Sequence, residues 1–161
     1  MIDVPLLKTL LRYDSDTGKF YWRVDLVRAK QGMLAGCTRP DGYIVIGFHR
    51  RLYRAHRLAW AYVTDESVFG ELDHINGNPS DNRIENLRLA TRAQNLANTR
   101  KKISSANTLK GVTHSRDGRF KAQLRVNGRN TYLGIYATEA DAHAAYCAAA
   151  EKEFGAYHRA G

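Results

Sequence analysis

Short apolar runs separated by turn signals dominate the first 70 residues. Lys19-Phe20-Tyr21-Trp22-Arg23-Val24 and Tyr43-Ile44-Val45-Ile46-Gly47-Phe48 are rich in aromatic and β-branched residues, and turn signals precede both, at Asp16-Thr17-Gly18 and Asp41-Gly42. After His49-Arg50 the chain is expected to return as a strand over Arg51–Arg54. The period then lengthens: Leu58, Ala59 and Tyr62 share one side of a stretch from His56 to Val63, which predicts a short helix. Residues 71–98 follow a different order. Glu71-Leu72-Asp73-His74-Ile75 reads as a strand, Asn76-Gly77 as a turn, residues 78–83 as a polar loop and Leu87-Arg88-Leu89-Ala90 as a returning strand. Thr91-Arg92-Ala93-Gln94 has the form of a capping box, so a helix should begin there.

Residues 97–108 lack periodicity and carry few large apolar groups, which predicts a linker; its run of cations, Arg100-Lys101-Lys102, suits a segment lying along phosphates. Beyond it the period becomes two. Phe120, Ala122, Leu124 and Val126 alternate with Lys121, Gln123 and Arg125, and Asn127-Gly128 is a strong hairpin signal. The next strand, Asn130–Ile135, is expected to put Thr131, Leu133 and Ile135 on one side and Asn130 and Tyr132 on the other. Thr138-Glu139-Ala140-Asp141 opens an alanine-rich helix to about Phe154, whose small side chains let it lie close on a sheet. The expected fold is α+β: a strand–loop–strand–helix unit with β-hairpins before it, then a three-stranded antiparallel sheet packed on one helix. The expected domains are 1–96 and 109–161, joined by 97–108.

Composition narrows the partners. The 161 residues carry a net charge of +9 and a pI near 9.8, which favours a polyanionic partner because Lys and Arg displace the counterions of phosphates. A hydrophobic content of 43% is enough for a packed core. Cys37 and Cys147 stand far apart with no CxxC, which excludes a cysteine zinc site and a disulfide framework. No charged-then-apolar leader and no apolar run of membrane-spanning length is present, so the expectation is a soluble cytoplasmic protein with no membrane partner.

Asp73, His74, Asn86 and Asn95 form the candidate chemistry. Hydrolysis of a phosphodiester needs an activated water and stabilisation of charge on the leaving 3′ oxygen; a hard divalent cation on oxygen ligands supplies the second, and a neutral imidazole can take the water's proton. Successive residues of a regular strand point to opposite faces, so Asp73 and His74 are expected at the strand's end, where Asn76-Gly77 bends the backbone. Taken singly, such Asp and Asn residues are ordinary turn formers and His74 a surface residue. Their combination in one strand–turn–strand–helix context points to a site.

Asp73-His74-Ile75-Asn76-Gly77-Asn78, Asp81-Asn82-Arg83-Ile84-Glu85-Asn86-Leu87-Arg88 and Thr91-Arg92-Ala93-Gln94-Asn95 resemble the HNH nuclease motif, in the form found in phage and intron homing endonucleases. Tyr53-Arg54-Ala55-His56-Arg57-Leu58-Ala59 resembles the segment preceding it. The resemblance implies a ββα-metal unit in which His74 is the general base, Asp73 and Asn95 hold the metal, and Asn86 braces the loop and orients the histidine. Mg²⁺ is the implied ion, with Mn²⁺ as an alternative. The last metal position is Asn95 where the family name has His, as in the homing branch, which argues against tight zinc binding. His56 reads either as a further catalytic or phosphate-binding group or as a structural hydrogen-bonder; the second is the commoner role for a histidine opening a short helix. Phe20, Tyr21, Trp22 and Trp60 read as core.

The polar face beyond residue 109 has the side chains that read base edges in a major groove. Lys110-Gly111-Val112, Gly118–Arg125 and Tyr132-Leu133-Gly134-Ile135-Tyr136 with the alanine-rich helix resemble the plant ethylene-response-factor (Apetala-type) DNA-binding domain. That resemblance implies Lys110, Thr113, Ser115, Arg119, Gln123, Arg125, Asn130 and Tyr132 as DNA contacts. Thr113, Ser115, Asp117, Asn130 and Tyr132 replace family arginines and tryptophans, so the family's target sequence does not carry over. Together the two halves imply a metal-dependent, site-preferring nicking or homing endonuclease on double-stranded DNA, a monomer or weak dimer in a phage-infected or bacterial cell. The rival readings are a DNA-binding regulator with a vestigial nuclease fold and a non-homing HNH nuclease.

Overall fold

The computed structural model describes residues 1–99 and 109–160. It is mixed α and β, and the chain divides into two compact units, Met1–Ala90 and Thr91–Gly161.

The first unit opens with helix α1 (Val4–Leu10), which the strand-centred reading of the sequence did not include. Asp3 caps it by accepting the N–H of Leu6, Pro5 occupies the first turn, and Val4, Leu7 and the following Leu11 are buried. Strands β1 (Leu11–Asp14) and β2 (Lys19–Trp22) then form an antiparallel hairpin. The short β3 (Cys37–Thr38) pairs with β4 (Ile44–Phe48), which pairs with β5 (Arg51–Arg54). The β4–β5 turn uses His49 and Arg50, both at positive φ. Helix α2 (Ala55–Thr64) buries Ala55, His56, Leu58, Ala59 and Ala61. With Leu7, Leu11, Phe20, Ile46 and Phe48 these apolar residues form one core, and Trp22 and Trp60 pack at its margin. Strands β6 (Glu71–His74) and β7 (Leu87–Ala90) pair antiparallel, with Asp73 opposite Arg88 and His74 opposite Leu87.

In the second unit Thr91 caps helix α3 (Arg92–Asn98) through a complete capping box with Gln94. The sequence put α3 in the first domain and began a linker at residue 97. Instead Ala97 is buried in one cluster with Leu124, Tyr146, Ala150 and Phe154, so this helix packs with the second unit. The rest of that expected linker, residues 100–108, lies outside the described residues. Strands β8 (Val112–His114), β9 (Phe120–Val126) and β10 (Arg129–Tyr136) form a sheet in the order β10-β9-β8, and α4 (Glu139–Phe154) lies on one face. A register shift between Tyr132 and Gly134 leaves Leu133 as the extra residue. The face of β10 therefore changes phase: Leu133 and Tyr136 pack toward α4, whereas Ile135, expected inside, pairs with Lys121 and is exposed.

Gly111 marks the closest approach in this unit. It sits at φ +78°, and a Cβ there would lie 2.0 Å from the Tyr146 ring. Gly111→Ala should therefore lower the thermal midpoint of the full chain by about 4–16 °C, from strain and overpacking of about 2–4 kcal/mol. Circular dichroism melting measures it; an unchanged midpoint would refute the packing of α4 on β8 described above.

Candidate active site

His74 is the last residue of β6, and it is buried together with its neighbour Asp73. The two residues engage different surroundings, as strand alternation requires. Asp73 Oδ2 accepts from Nε and Nη2 of Arg88, each at 2.8 Å, directly across the ladder. The His74 ring meets His56 edge-on, with centroids 5.0 Å apart and planes at 83°, and meets the edge of Tyr43 at 5.8 Å. Its Nε2 lies 3.2 Å from Oδ1 of Asn82, a residue only 1% exposed. Burial pushes the His74 imidazole below its ordinary value, so it is neutral at neutral pH, the form that can accept a proton.

The loop after β6 is held by its own side chains. Asn86 accepts the N–H of Asn76 at 2.9 Å and donates to Asn76 Oδ1 at 3.1 Å and to the Asp81 carbonyl at 2.8 Å. Asn76 Nδ2 and Arg83 donate to the Asp81 carboxylate, which these contacts, Arg83 first, bring down to about 2. Asn86 thus makes three bonds within the loop, and Asn82 is the residue that touches the histidine. Sequence reasoning missed Asn82 because a buried asparagine in a polar loop carries no signal that separates it from a turn former.

Two cationic and aromatic neighbours were also unmarked. Tyr43 packs on both histidines, and the Arg54 guanidinium lies 4.0 Å above its ring and 3.8 Å from Asp41. His56 is 4% exposed and its Nδ1 has no hydrogen-bond partner. Its ring packs against those of His74 and Tyr43. Burial, then the charges of His74 and Arg54, pull it down to about 3.

Asn95 lies on α3 in the second unit, where its N–H donates to the Thr91 carbonyl and its own carbonyl accepts from Thr99. Among the described residues, no group of three or more His, Cys, Asp or Glu forms a metal cluster. The Asp73 carboxylate, oriented by Arg88, is a group that could hold a divalent ion.

In the second unit the ladder puts Thr113, Lys121 and Ile135 side by side, then Gln123 with Tyr132, and Arg125 with Asn130, on the face away from α4. Lys121 Nζ sits 5.6 Å over the Tyr132 ring. Thr113, Gln123, Arg125 and Asn130 also line an open groove of about 790 Å³ with Arg92 of α3. Ser115 and Arg119 lie in the β8–β9 turn, where Ser115 N–H donates to the Arg119 carbonyl and Arg119 pairs with Asp117 at 2.6 Å. Lys110 departs from the expected set: its ammonium is half-buried and donates to the carbonyls of Ala97 at 2.5 Å and Arg159 at 3.0 Å. Those bonds satisfy the end of α3 and draw the charge away from the exposed face.

Residues 53–97 match the family model described as HNH endonuclease, a stretch that takes in His56, Asp73, His74, Asn82, Asn86 and Asn95. An uncharacterized HNH endonuclease of Acanthamoeba polyphaga mimivirus is 31% identical over 104 residues, 63% of this chain and 54% of that protein. The chain spans about half the length of this curated relative. No solved structure matches it. Both matches support a nuclease enzyme. Among the described residues, no helix is long and apolar enough to cross a membrane.

A histidine that stays neutral when folded but charges when unfolded makes stability depend on pH. The unfolded chain takes up a proton near 6.5 that folded His56 refuses until about 3, so its contribution is full above 6.5 and is lost as pH falls between those values. Urea unfolding across that range should show a steeper loss for wild type than for His56→Asn. Equal pH slopes would mean that His56 titrates normally in the folded protein.

Proposed function

We propose that this protein is a metal-dependent DNA endonuclease, with its catalytic residues in the matched segment and its sequence preference in the second unit. The observation that carries the reading is a buried, neutral His74 beside an Arg88-held Asp73, inside a stretch that matches the HNH endonuclease model. His74 accepts the proton of the attacking water. Asn86 keeps the loop closed so that the histidine stays at the end of β6. Asp73 and Asn95 are the proposed ligands of the ion, Asn95 by its position in the motif. When bound, a divalent cation, Mg²⁺ first and Mn²⁺ second, would stabilise the charge developing on the leaving 3′ oxygen. Arg88 orients the Asp73 carboxylate.

The exposed sheet face of Thr113, Gln123, Arg125, Asn130 and Tyr132 is the proposed surface for double-stranded DNA, of the kind the Apetala-type resemblance implies, with Arg119 and Ser115 at its edge. One proposed metal site per chain fits nicking of one strand by a monomer; a double-strand break needs a dimer or a second encounter. Homing is proposed as the biological setting on the likeness of the motif to that branch.

His74→Ala should slow plasmid nicking in Mg²⁺ by about 10²–10⁴-fold, the usual contribution of a general base, while gel-shift binding is nearly unchanged. Wild-type cleavage by the variant, or parallel loss of binding, would sink the assignment. For the metal, Asp73→Asn is the informative change, because Asp73→Ala would strand Arg88, whose side chain is 16% exposed. It should abolish Mn²⁺ binding in calorimetry with the fold intact; unchanged affinity would remove Asp73 from the ligands. Arg125→Ala should relax preference at particular base pairs by about 1–3 kcal/mol, as for a lost bidentate contact to guanine, with little change on scrambled DNA. Equal losses on target and scrambled duplexes would make Arg125 a phosphate contact.

A further inference from the structure

Asn82 holds more of the site than its place in a polar loop suggests. Its Oδ1 is 3.2 Å from His74 Nε2, and its Nδ2 donates to the Ser80 carbonyl at 3.2 Å. A carbonyl oxygen can only accept, so the second bond fixes which end of the amide is which. The oxygen must therefore face the histidine, and an oxygen there requires a hydrogen on Nε2. A neutral imidazole with its hydrogen on Nε2 carries its lone pair on Nδ1.

We propose that Asn82 is a positioning residue that locks His74 in the Nε2-protonated tautomer and thereby makes Nδ1 the atom that accepts the proton of the attacking water. The step balances: the water's proton moves to Nδ1, the hydroxide oxygen bonds to phosphorus, and the 3′ oxygen leaves with the electron pair of the broken bond. The catalytic role of Nδ1 rests on the nuclease reading above; the tautomer does not.

The rest of the first unit explains why Asn82 can do this. Its backbone carbonyl accepts the Tyr13 hydroxyl at 2.8 Å, and burial raises Tyr13 to about 12, so that hydroxyl stays a donor. Gly18, in the β1–β2 turn at φ +68°, lies so close that a Cβ would fall 2.6 Å from the Asn82 carbonyl carbon and 2.4 Å from the Arg83 nitrogen. Ser80 in turn donates to the Gly42 carbonyl at 2.6 Å. The N-terminal hairpin is thus a backstop for the loop, and a polar residue 1% exposed is held there by four groups from three segments.

The test reads the tautomer directly, in the full chain without metal or DNA. Long-range proton–nitrogen spectra of the ¹⁵N-labelled protein at neutral pH separate the two neutral forms of a histidine, and His74→Ala assigns the signal. Wild type should show the Nε2-protonated pattern. Asn82→Leu, similar in size but without an acceptor, should turn it into an exchanging mixture. Asn82→Asp, which keeps an oxygen facing Nε2, should retain it. An Nδ1-protonated His74 in wild type, or an unchanged pattern in Asn82→Leu, would overturn the proposal. The wild-type spectrum decides the matter even if Asn82→Leu does not fold. In cleavage assays Asn82→Leu should lower kcat by the factor by which the Nε2-protonated fraction falls, without raising KM; an unaltered kcat despite a changed tautomer mixture would also overturn it. Failure of His74→Ala to lose activity would instead remove the nuclease reading and leave the tautomer assignment standing.

Discussion

A polar loop can be buried only if its donors and acceptors find partners inside the protein, and this requirement organises the first unit. Between β6 and β7 the chain carries Asn76, Asn78, Asp81, Asn82 and Asn86, and their side chains satisfy backbone groups that water would otherwise hold. Asn82 and Asn86 are almost fully buried, so their bonds form in surroundings where an unmet polar group is expensive. In this conformation of the loop both residues are satisfied. His74 inherits its position from that solution: it is the last residue before the loop and is touched by the loop's most buried amide.

Much of this was legible in the sequence, and the reasons differ by element. Strands β5 and β7 and the starts of α3 and α4 follow from local signals, since a period of two and a Thr cap are short-range physics. Helix α1 was not read, although Asp3, Pro5 and the spacing of Val4, Leu7 and Leu11 carry its start and its face; at seven residues its periodic signal is brief. The phase of β10 was misjudged beyond Leu133 because a bulge inserts one residue and reverses every face after it. Lys110 was assigned from its motif position and its charge, and its half-burial against two carbonyls is a tertiary fact.

The site shows the same division. Motif spacing marked Asp73, His74, Asn86 and Asn95, the residues whose chemistry is distinctive. It did not mark Asn82, Tyr43 or Tyr13, because their importance lies in what they touch. Asn86 and Asn82 are four residues apart and chemically identical; only the fold distinguishes the one that closes the loop from the one that meets the imidazole.

The two Asn-Gly pairs face different chemical ageing. Spontaneous deamidation proceeds when the glycine nitrogen attacks the asparagine side-chain carbonyl to close a five-membered imide. At Asn76 the side chain is pinned by Asn78, Asp81 and Asn86, and the Gly77 nitrogen is committed to the His74 carbonyl at 2.7 Å. Asn127, exposed at the tip of the β9–β10 hairpin with φ 48°, has no such restraint from a surrounding cage of amides. Damage in an aged preparation would therefore begin at the hairpin tip, adding negative charge beside Arg125 and Asn130, while the loop next to His74 stays chemically intact.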